Sequence, residues 1–356
     1  MNAVLKHYPS PIPDLTWHPL GCAGGFSGAS VWRGDLHGKP LVALKAWPIG
    51  FRRSKLRQIH EWMLQSGRCD NLHFVPRVWP WETGQTIVYE AGRLWDVCTW
   101  MGGTADFSAH PNDEKLRASC RAIAQLHRAW TVPNSTVSIC PAVERRLSLL
   151  GQFDPNAPLL SAAYPEAAAI LESVRSTIRR LVPLAMAVLE PERTRPGPVQ
   201  PCLCDVWHDH VLFDADRVTG IVDYGSMKFD HPAVDLARWL GDVVGDDESK
   251  VRFGLDAYRE AGGPWEPDFE FVSLLDRTGV ICAGIHWMNR LSVPSDSLDR
   301  VRLVERVRKV AGRLETISQQ STRLVAIPRT AEIESTLRSL WNRSPKIDRF
   351  SEPERR

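Results

Sequence analysis

The sequence lacks the features that mark membrane-spanning and secreted chains. Nowhere do about 18 apolar residues follow one another, and the start, Met1 to Pro9, holds no apolar run of the signal-peptide type. The eight cysteines are mostly far apart, and a chain of 356 residues does not need disulfides to fold. These absences predict a soluble, cytoplasmic protein with reduced thiols.

An excess of charge of one sign is also missing. The 44 lysines and arginines nearly balance the 42 aspartates and glutamates, so the formal net charge is +2, and the basic residues are scattered. Proteins that bind nucleic acid or membrane surfaces usually carry clustered basic residues. The sequence therefore predicts neither kind of partner, and it gives no indication of oligomeric state.

The hydrophobic pattern that is present changes character near Gly102 and Gly103. Before them, one segment with helical spacing, Arg53 to Gln65, interrupts short alternating segments that glycine turns separate. After them, helical patterns dominate. The alternating segments predict five strands, at Trp17 to Cys22, Ser30 to Arg33, Leu41 to Trp47, Thr86 to Ala91 and Arg93 to Trp100.

We therefore predict an α+β, bilobal fold. A small β-rich N-terminal lobe spans residues 1–102, and a larger, mainly helical C-terminal lobe spans 103–319. The tail, 320–356, has a weaker pattern, for which we expect one helix at Ala331 to Trp341 and disorder in the charged, proline-containing end. A cleft between two such lobes is a common ligand site.

Two segments of the small lobe are candidates for binding phosphates. The turn from Gly21 to Ser30 includes Gly24, Gly25, Ser27 and Gly28, and its backbone N–H groups could approach phosphate oxygens. By itself such a glycine-rich segment is more often an ordinary hairpin turn. On the following strand, alternation puts Ala43, Lys45 and Trp47 on one face, which suits an adenine ring and a phosphate; the alternative is a solvent-facing lysine.

The strongest chemical signal lies in the helical lobe. Asp205 is followed five positions on by His210, and a predicted hairpin, Val211 to Val222, then returns the chain to Asp223. Phosphoryl transfer needs a carboxylate beside the attacking hydroxyl and a second one on the metal ion, as well as a cation on the phosphates. The spacing therefore favours a kinase-type catalytic loop followed by a metal-binding loop.

The run from Val211 to Gly225, with Asp230-His231-Pro232-Ala233-Val234-Asp235-Leu236-Ala237 after it, resembles the aminoglycoside phosphotransferase and choline kinase group, which has a protein-kinase-like fold. The resemblance continues in Ala124-Gln125-Leu126-His127 and in Trp100-Met101-Gly102-Gly103. It covers roughly Leu15 to Leu291 and is most specific between Asp205 and Ala237.

The resemblance implies a role for each candidate residue. Asp205 would be the catalytic base, Asp223 with His210 would hold Mg²⁺, and Lys45 would contact the α- and β-phosphates. The glycine loop would cover the phosphates of ATP, Ala43, Trp100 and Met101 would border its base, and Asp235 would hold the catalytic loop. The acceptor would be a hydroxyl of a small molecule resembling an aminoglycoside, choline, homoserine or a sugar.

Three positions depart from the family pattern. Leu203 and Cys204 stand where the family usually has His-Gly, and His210 replaces its metal-binding Asn. A nitrogen ligand favours Mn²⁺ or Zn²⁺ over Mg²⁺. These changes leave open a second interpretation, a nucleotide-binding or scaffolding pseudokinase without transfer.

Three further residue groups have alternative interpretations. Cys202, Cys204, His208 and His210 could bind zinc, although their spacing is cramped for a tetrahedral site. Glu61 is the candidate ion-pair partner of Lys45 or a surface glutamate, since it falls away from the apolar stripe of its helix. His127 continues such a stripe, so we expect a buried histidine with satisfied hydrogen bonds.

Overall fold

The chain folds into a small sheet-based lobe followed by a larger helical lobe, which confirms the predicted architecture. The computed structural model describes residues 1–21, 28–69, 71–81, 83–131, 137–157, 165–291 and 300–320. Its strands are β1 (Thr16–Gly21), β2 (Ser30–Leu36), β3 (Lys39–Ala46), β4 (Val88–Glu90), β5 (Arg93–Thr99), β6 (Val137–Ile139), β7 (Pro196–Pro198), β8 (Gln200–Cys202), β9 (Val211–Asp214), β10 (Arg217–Ile221) and β11 (Lys228–Asp230). Its helices are α1 (Asn2–Leu5), α2 (Arg53–Ser66), α3 (Asp113–Ala129), α4 (Pro141–Gly151), α5 (Pro165–Leu189), α6 (Ala233–Val243), α7 (Glu248–Glu260), α8 (Phe269–Leu291) and α9 (Arg300–Gln319).

The small lobe is built on a five-stranded antiparallel sheet with strand order β1-β2-β3-β5-β4. Alternation along β3 puts Val42, Leu44 and Ala46 on the buried face, where they join the N-terminal residues Val4 and Ile12 in one apolar cluster. The opposite face carries Ala43 and Lys45. The predicted alternation is therefore correct, and it leaves the lysine on the face that is not covered by α1.

Helix α2 connects the two lobes. Its apolar stripe is as predicted, and Ile59 and Met63 belong to the core of the large lobe. The indole of Trp130, at the end of α3, donates a hydrogen bond of 3.0 Å to the carbonyl of Trp62 on α2. Since Trp130 is fully buried, this contact fixes α2 against the large lobe.

The large lobe is an assembly of helices, and its short hairpin β9–β10 packs against α3. Helix α3 packs on α7, α6 packs on α8, and α5 packs on α8 and α9. Helix α5, with 25 residues from Pro165 to Leu189, contributes to both of the last two contacts. Within the described ranges, no helix combines the length and the apolar character needed to span a bilayer.

The connector between the lobes is attached to this hairpin. Thr104 and Phe213 exchange two backbone hydrogen bonds of 2.9 Å, and the hydroxyl of Thr219 donates to the carbonyl of Gly102 at 2.7 Å. Gly103 has φ +100°, and a Cβ atom there would lie 2.7 Å from the carbonyl oxygen of Phe213. The connector therefore requires a glycine at 103, because both its backbone angle and the close approach exclude a side chain.

We predict that Gly103→Ala lowers the free energy of unfolding by about 2–4 kcal/mol, through backbone strain and the clash with Phe213. Gly102→Ala is the matched control, because a Cβ atom there meets nothing within 4 Å; its effect should stay within about 0.5 kcal/mol. Urea denaturation followed by tryptophan fluorescence measures both variants. Equal midpoints for the two would show that the connector is not attached in this way.

Candidate active site

The loop from Leu203 to His210 joins β8 to β9 and lies along one face of α6. Asp235, Arg238 and Asp242 are spaced at i, i+3 and i+7 on α6, so they face the same side of the helix. Each contacts a different part of the loop: Asp235 its start, Arg238 its middle and Asp242 its end. One helix face therefore sets the position of the whole loop.

The start of the loop is fixed by the buried carboxylate of Asp235. It accepts the backbone N–H groups of Leu203 at 2.8 Å and of Cys204 at 2.6 Å. His127 Nε2 lies 3.0 Å from the same carboxylate, and His127 Nδ1 lies 2.9 Å from the hydroxyl of Tyr258. A buried carboxylate needs such partners to offset its lost hydration. His127 is thus the buried, hydrogen-bonded histidine that its helix pattern predicts.

Cys204 occupies a backbone position that favours glycine. Its φ is +65°, in the left-handed region, which costs a residue with a Cβ atom roughly 1 kcal/mol. This conformation turns the chain so that Asp205 leaves the loop on the exposed side. The family pattern has glycine at this position, and the backbone here keeps the geometry that a glycine would adopt without strain.

Asp205 presents one carboxylate oxygen to the opening between the lobes. Its Oδ1 accepts a hydrogen bond of 3.2 Å from Nε of Arg238, and its side chain is 44% exposed. Oδ2 has no hydrogen-bond partner among the described residues. A carboxylate held at one oxygen and free at the other can accept a proton from a bound hydroxyl.

The end of the loop is fixed by Asp242. Its carboxylate accepts the backbone N–H of His208 at 2.9 Å and also contacts the ring of His208 and the ammonium of Lys309. Burial alone would raise the pKa of Asp242, but the hydrogen bond from His208 and the charges of Arg238 and Lys309 hold the pKa well below its usual range. Asp242 is therefore ionised at neutral pH, and its carboxylate is bonded to other groups of the protein.

His210 lies between Asp205 and Asp223, and its tautomer follows from its partners. Nδ1 donates to the backbone carbonyl of Asp205 at 2.7 Å, because a carbonyl oxygen can only accept. Nε2 is therefore unprotonated in the neutral ring, and it accepts a 2.8 Å hydrogen bond from the indole N–H of Trp207. The ring thus binds the loop backbone with one nitrogen and keeps a lone pair on the other.

Asp223 follows the hairpin, which returns it to the neighbourhood of Asp205 and to the lysine of the small lobe. Its Oδ1 accepts from Nζ of Lys45 at 2.9 Å, and its Oδ2 lies 3.8 Å from His210 Nε2. Burial alone would raise the pKa of Asp223, but the charge of Lys45, with the hydrogen bonds from its ammonium and from the N–H of Gly225, outweighs burial and lowers the pKa to about 2. Asp223 is therefore ionised at neutral pH.

Asp223 and His210 have the donor atoms and the spacing for one divalent ion. Asp223 Oδ2 and His210 Nε2 lie 3.8 Å apart, so they would offer such an ion one carboxylate oxygen and one imidazole nitrogen. The unprotonated Nε2 is the form of imidazole that binds metals. In this structure its lone pair accepts the hydrogen bond from Trp207.

Lys45 lies where the sequence predicts, on the face of β3 that it shares with Ala43. Its ammonium lies 4.2 Å from the ring centroid of Trp47. Glu61 is exposed and hydrogen-bonded to Gln58, so it is a surface residue and does not pair with Lys45. The Lys45 ammonium instead pairs across the cleft with Asp223.

A buried histidine occupies the inner face of α2. His60 contacts Asp96 at 2.8 Å and Thr86 at 2.8 Å, and Asp96 also accepts the indole N–H of Trp47 at 3.0 Å. This network joins α2 to β5 and to the end of β3. The sequence analysis missed it, because its four members come from four separate segments.

The glycine loop is only partly described. Gly24, Gly25 and Ser27 lie outside the described residues. Gly28 has φ +78°, and its carbonyl accepts a hydrogen bond of 2.7 Å from Arg93 on β5. The end of the loop is therefore fixed to the sheet.

Trp100 and Met101 form the edge of the connector. The N–H of Trp100 donates to the carbonyl of Leu41 at 2.9 Å, so this segment continues along β3. Met101 lies over the hairpin, where a Cβ atom on Gly220 would come within 2.7 Å of its own Cβ. Both residues are half-buried beside Ala43 and the hairpin.

The four candidate zinc ligands point to different partners. The thiol of Cys202 donates to the carbonyl of Asp230 at 3.3 Å, and Cys204 Sγ lies 4.0 Å from the carboxylate of the same residue. His208 and His210 are bonded to α6 and to the loop backbone, as described above. The arrangement therefore gives no support to a zinc site, and the seven cysteines that the structure describes are free thiols.

Solved structures with the same two-lobed fold include three small-molecule kinases. A spectinomycin phosphotransferase, solved with ADP and spectinomycin, is 14% identical, with a TM-score of 0.59 over 82% of this chain and 90% of that chain. A microcompartment-associated aminopropanol kinase is 13% identical, with a TM-score of 0.63 over 90% and 96% of the two chains. A choline/ethanolamine kinase family protein from Mesorhizobium loti is 17% identical, with a TM-score of 0.56 over 91% and 97%. These likenesses establish the protein-kinase-like fold.

Sequence comparison gives the family. No protein of curated function matches the chain in sequence. The model of the phosphotransferase enzyme family matches residues 20–274, which is well over half of the chain. The predicted resemblance is thereby confirmed. This chain belongs to the phosphotransferase enzyme family and has the bilobal fold of small-molecule kinases.

Proposed function

We propose that this protein transfers the γ-phosphoryl group of ATP to a hydroxyl group of a small molecule. The observation that carries the proposal is the arrangement of Asp205, His210 and Asp223. One aspartate has a free carboxylate oxygen at the opening, the other is paired with Lys45, and His210 lies between them. Phosphoryl transfer needs a base, a metal ligand and a phosphate-binding cation in such proximity.

In this proposal Asp205 orients the acceptor hydroxyl and takes its proton. Arg238 is a positioning residue, because its hydrogen bond holds Oδ1 of Asp205 and leaves Oδ2 for the acceptor. The backbone bonds from Asp235 and His210 hold the loop on both sides of Asp205. The loop is thus ordered before the substrate binds, which reduces the reorganisation needed for transfer.

The nucleotide would bind between the lobes, which we place at residues 1–102 and 103–319. Lys45 and the turn with Gly24, Gly25, Ser27 and Gly28 would contact the phosphates, and Ala43, Trp100 and Met101 would border the base. The likeness to a phosphotransferase solved with ADP supports the use of ATP. Asp223 and His210 would hold a divalent ion that neutralises charge on the phosphates.

The first prediction concerns Asp205. Asp205→Asn should lower kcat by at least about a hundredfold, because an amide cannot accept the hydroxyl proton. Nucleotide affinity should stay unchanged, since Asp205 is not part of the proposed phosphate site. ADP release in a coupled assay, with calorimetry for ADP binding, measures both quantities.

The control for that variant is Asp214→Asn, the same change at an exposed residue of the hairpin turn whose partner is Arg217. It should retain full activity. If Asp205→Asn remains as active as this control, the base is another group.

The second prediction concerns metal choice. His210→Asn should shift the ratio of Mn²⁺-supported to Mg²⁺-supported activity toward Mg²⁺, because an amide oxygen replaces a nitrogen ligand. Manganese binding followed by electron paramagnetic resonance should weaken in His210→Ala, independently of turnover. Unchanged metal preference in the first variant and unchanged manganese affinity in the second would remove His210 from the metal site.

A second candidate function is a nucleotide-binding protein that does not transfer phosphoryl groups. The contact of the Trp207 indole with His210 Nε2 favours it, because that contact occupies the lone pair that a metal ion needs. ADP binding by the wild-type protein, with no ADP release for any hydroxyl acceptor and either metal, would support this candidate and sink the kinase proposal.

A further inference from the structure

Helix α9 carries a row of cations beside the loop of Asp205. Arg306, Lys309 and Arg313 are spaced at i, i+3 and i+7, so they share one face of the helix. Lys309 pairs with Asp242 at 3.1 Å, and Arg313 pairs with Asp276 at 2.6 Å. Among the described residues, Arg306 has neither an ion pair nor a hydrogen bond.

The guanidinium of Arg306 lies over the indole ring of Trp207. Its Cζ atom is 4.3 Å from the ring centroid of Trp207, the residue that contacts His210. A guanidinium that stacks through its face keeps its N–H donors at its edge. The stack with Trp207 therefore holds the group in place without using its hydrogen-bonding capacity.

None of the acidic groups that act on Arg306 is hydrogen-bonded to it in the described chain. Burial lowers the pKa of Arg306 first, and the neighbouring charge of Arg238 lowers it further, against the opposing charges of Asp242, Asp205 and Asp209. Asp242 is bonded to His208 and Lys309, and Asp205 is bonded to Arg238. Arg238 contacts Asp205, and Arg306 feels the charge of the same carboxylate while its own N–H donors are unused in the described chain.

We propose that Arg306, assisted by Arg238, binds an anionic group of the acceptor, a carboxylate or a phosphate monoester. This inference rests on the proposed function, because it places the acceptor hydroxyl at Asp205. A planar guanidinium matches two oxygens of a carboxylate or phosphate with two parallel hydrogen bonds. An acceptor that bears several positive charges would instead meet the charges of both arginines at close range.

The location of Arg306 favours the acceptor over the nucleotide. Lys45 and Asp223 pair on the side of the site that faces the small lobe. Arg306 comes from α9 of the large lobe and contacts the loop at Trp207, two residues after Asp205. An anion at Arg306 would therefore be held by the large lobe alone, close along the loop to Asp205.

The test uses matched compounds that differ only in charge. Hydroxy acids, diols and amino alcohols of equal chain length are compared as acceptors by ADP release, and glycerol phosphate is compared with glycerol. We expect the anionic member of a set to have a kcat/KM at least about tenfold above its partners. The two arms distinguish a carboxylate from a phosphate as the recognised group.

Variants then assign the preference to Arg306. Arg306→Gln should raise the KM of the anionic acceptor at least about tenfold with little change in kcat, and Arg306→Lys should restore part of the loss. The matched control is Arg308→Gln, an equal change of charge at an exposed residue of the same helix. It should keep the wild-type KM.

Three results would overturn the inference: a preference for amino alcohols, an anion preference that survives in Arg306→Gln, or a rise in the KM of ATP in place of the acceptor KM.

Calorimetry with the ADP-bound protein separates this inference from the kinase proposal. Arg306-dependent binding of an anionic compound without transfer would retain the anion site and reject the kinase proposal. Transfer to cationic acceptors alone would retain the kinase proposal and reject the anion site. The anion site would also be rejected if no anionic compound binds.

Discussion

The active-site loop depends on one face of α6, and above all on the buried carboxylate of Asp235. That carboxylate satisfies two backbone N–H groups at the start of the loop, which would otherwise be buried without partners. Arg238, one turn further along, reaches the side chain of Asp205, and Asp242 binds the end of the loop. Because a helix is rigid over these two turns, the backbone of the loop and the direction of its carboxylate are set together.

The departures from the family pattern leave this geometry intact. Cys204 adopts the left-handed backbone that a glycine would adopt, and the two bonds to Asp235 offset the cost of that strain. The imidazole of His210 donates to the loop carbonyl with one nitrogen and directs the other toward Asp223. Both substitutions therefore preserve the positions of Asp205 and Asp223. In the proposed metal site, His210 would offer a nitrogen atom where the family pattern offers an oxygen.

Much of the fold could be predicted from the sequence, because its elements carry local signals. The alternation in β3, the stripe of α2 and the hairpin from Val211 are all patterns within one segment, and each is confirmed. The contacts of Trp207, Arg238 and Arg306 could not be predicted, since they depend on how distant helices pack against the loop. The sequence does contain part of this information, because Arg238 and Asp242 follow Asp235 by three and seven positions and so lie on the same face of the predicted helix. The resemblance pointed to Asp235 and not to these two neighbours, which belong to this chain's own loop contacts.

The central proposal is that the γ-phosphoryl group of ATP is transferred to a hydroxyl acceptor and that Asp205 takes the proton of that hydroxyl. The most direct measurement uses ATP with a heavy-oxygen label in its γ-phosphoryl group, a panel of hydroxyl compounds of different charge, and mass spectrometry of the products. We expect the wild-type protein to form a phosphorylated acceptor that carries the labelled group, and we expect the Asp205→Asn variant to form none. If the label is found only in intact ATP or in inorganic phosphate, for every acceptor and with either Mg²⁺ or Mn²⁺, the proposed transfer is contradicted.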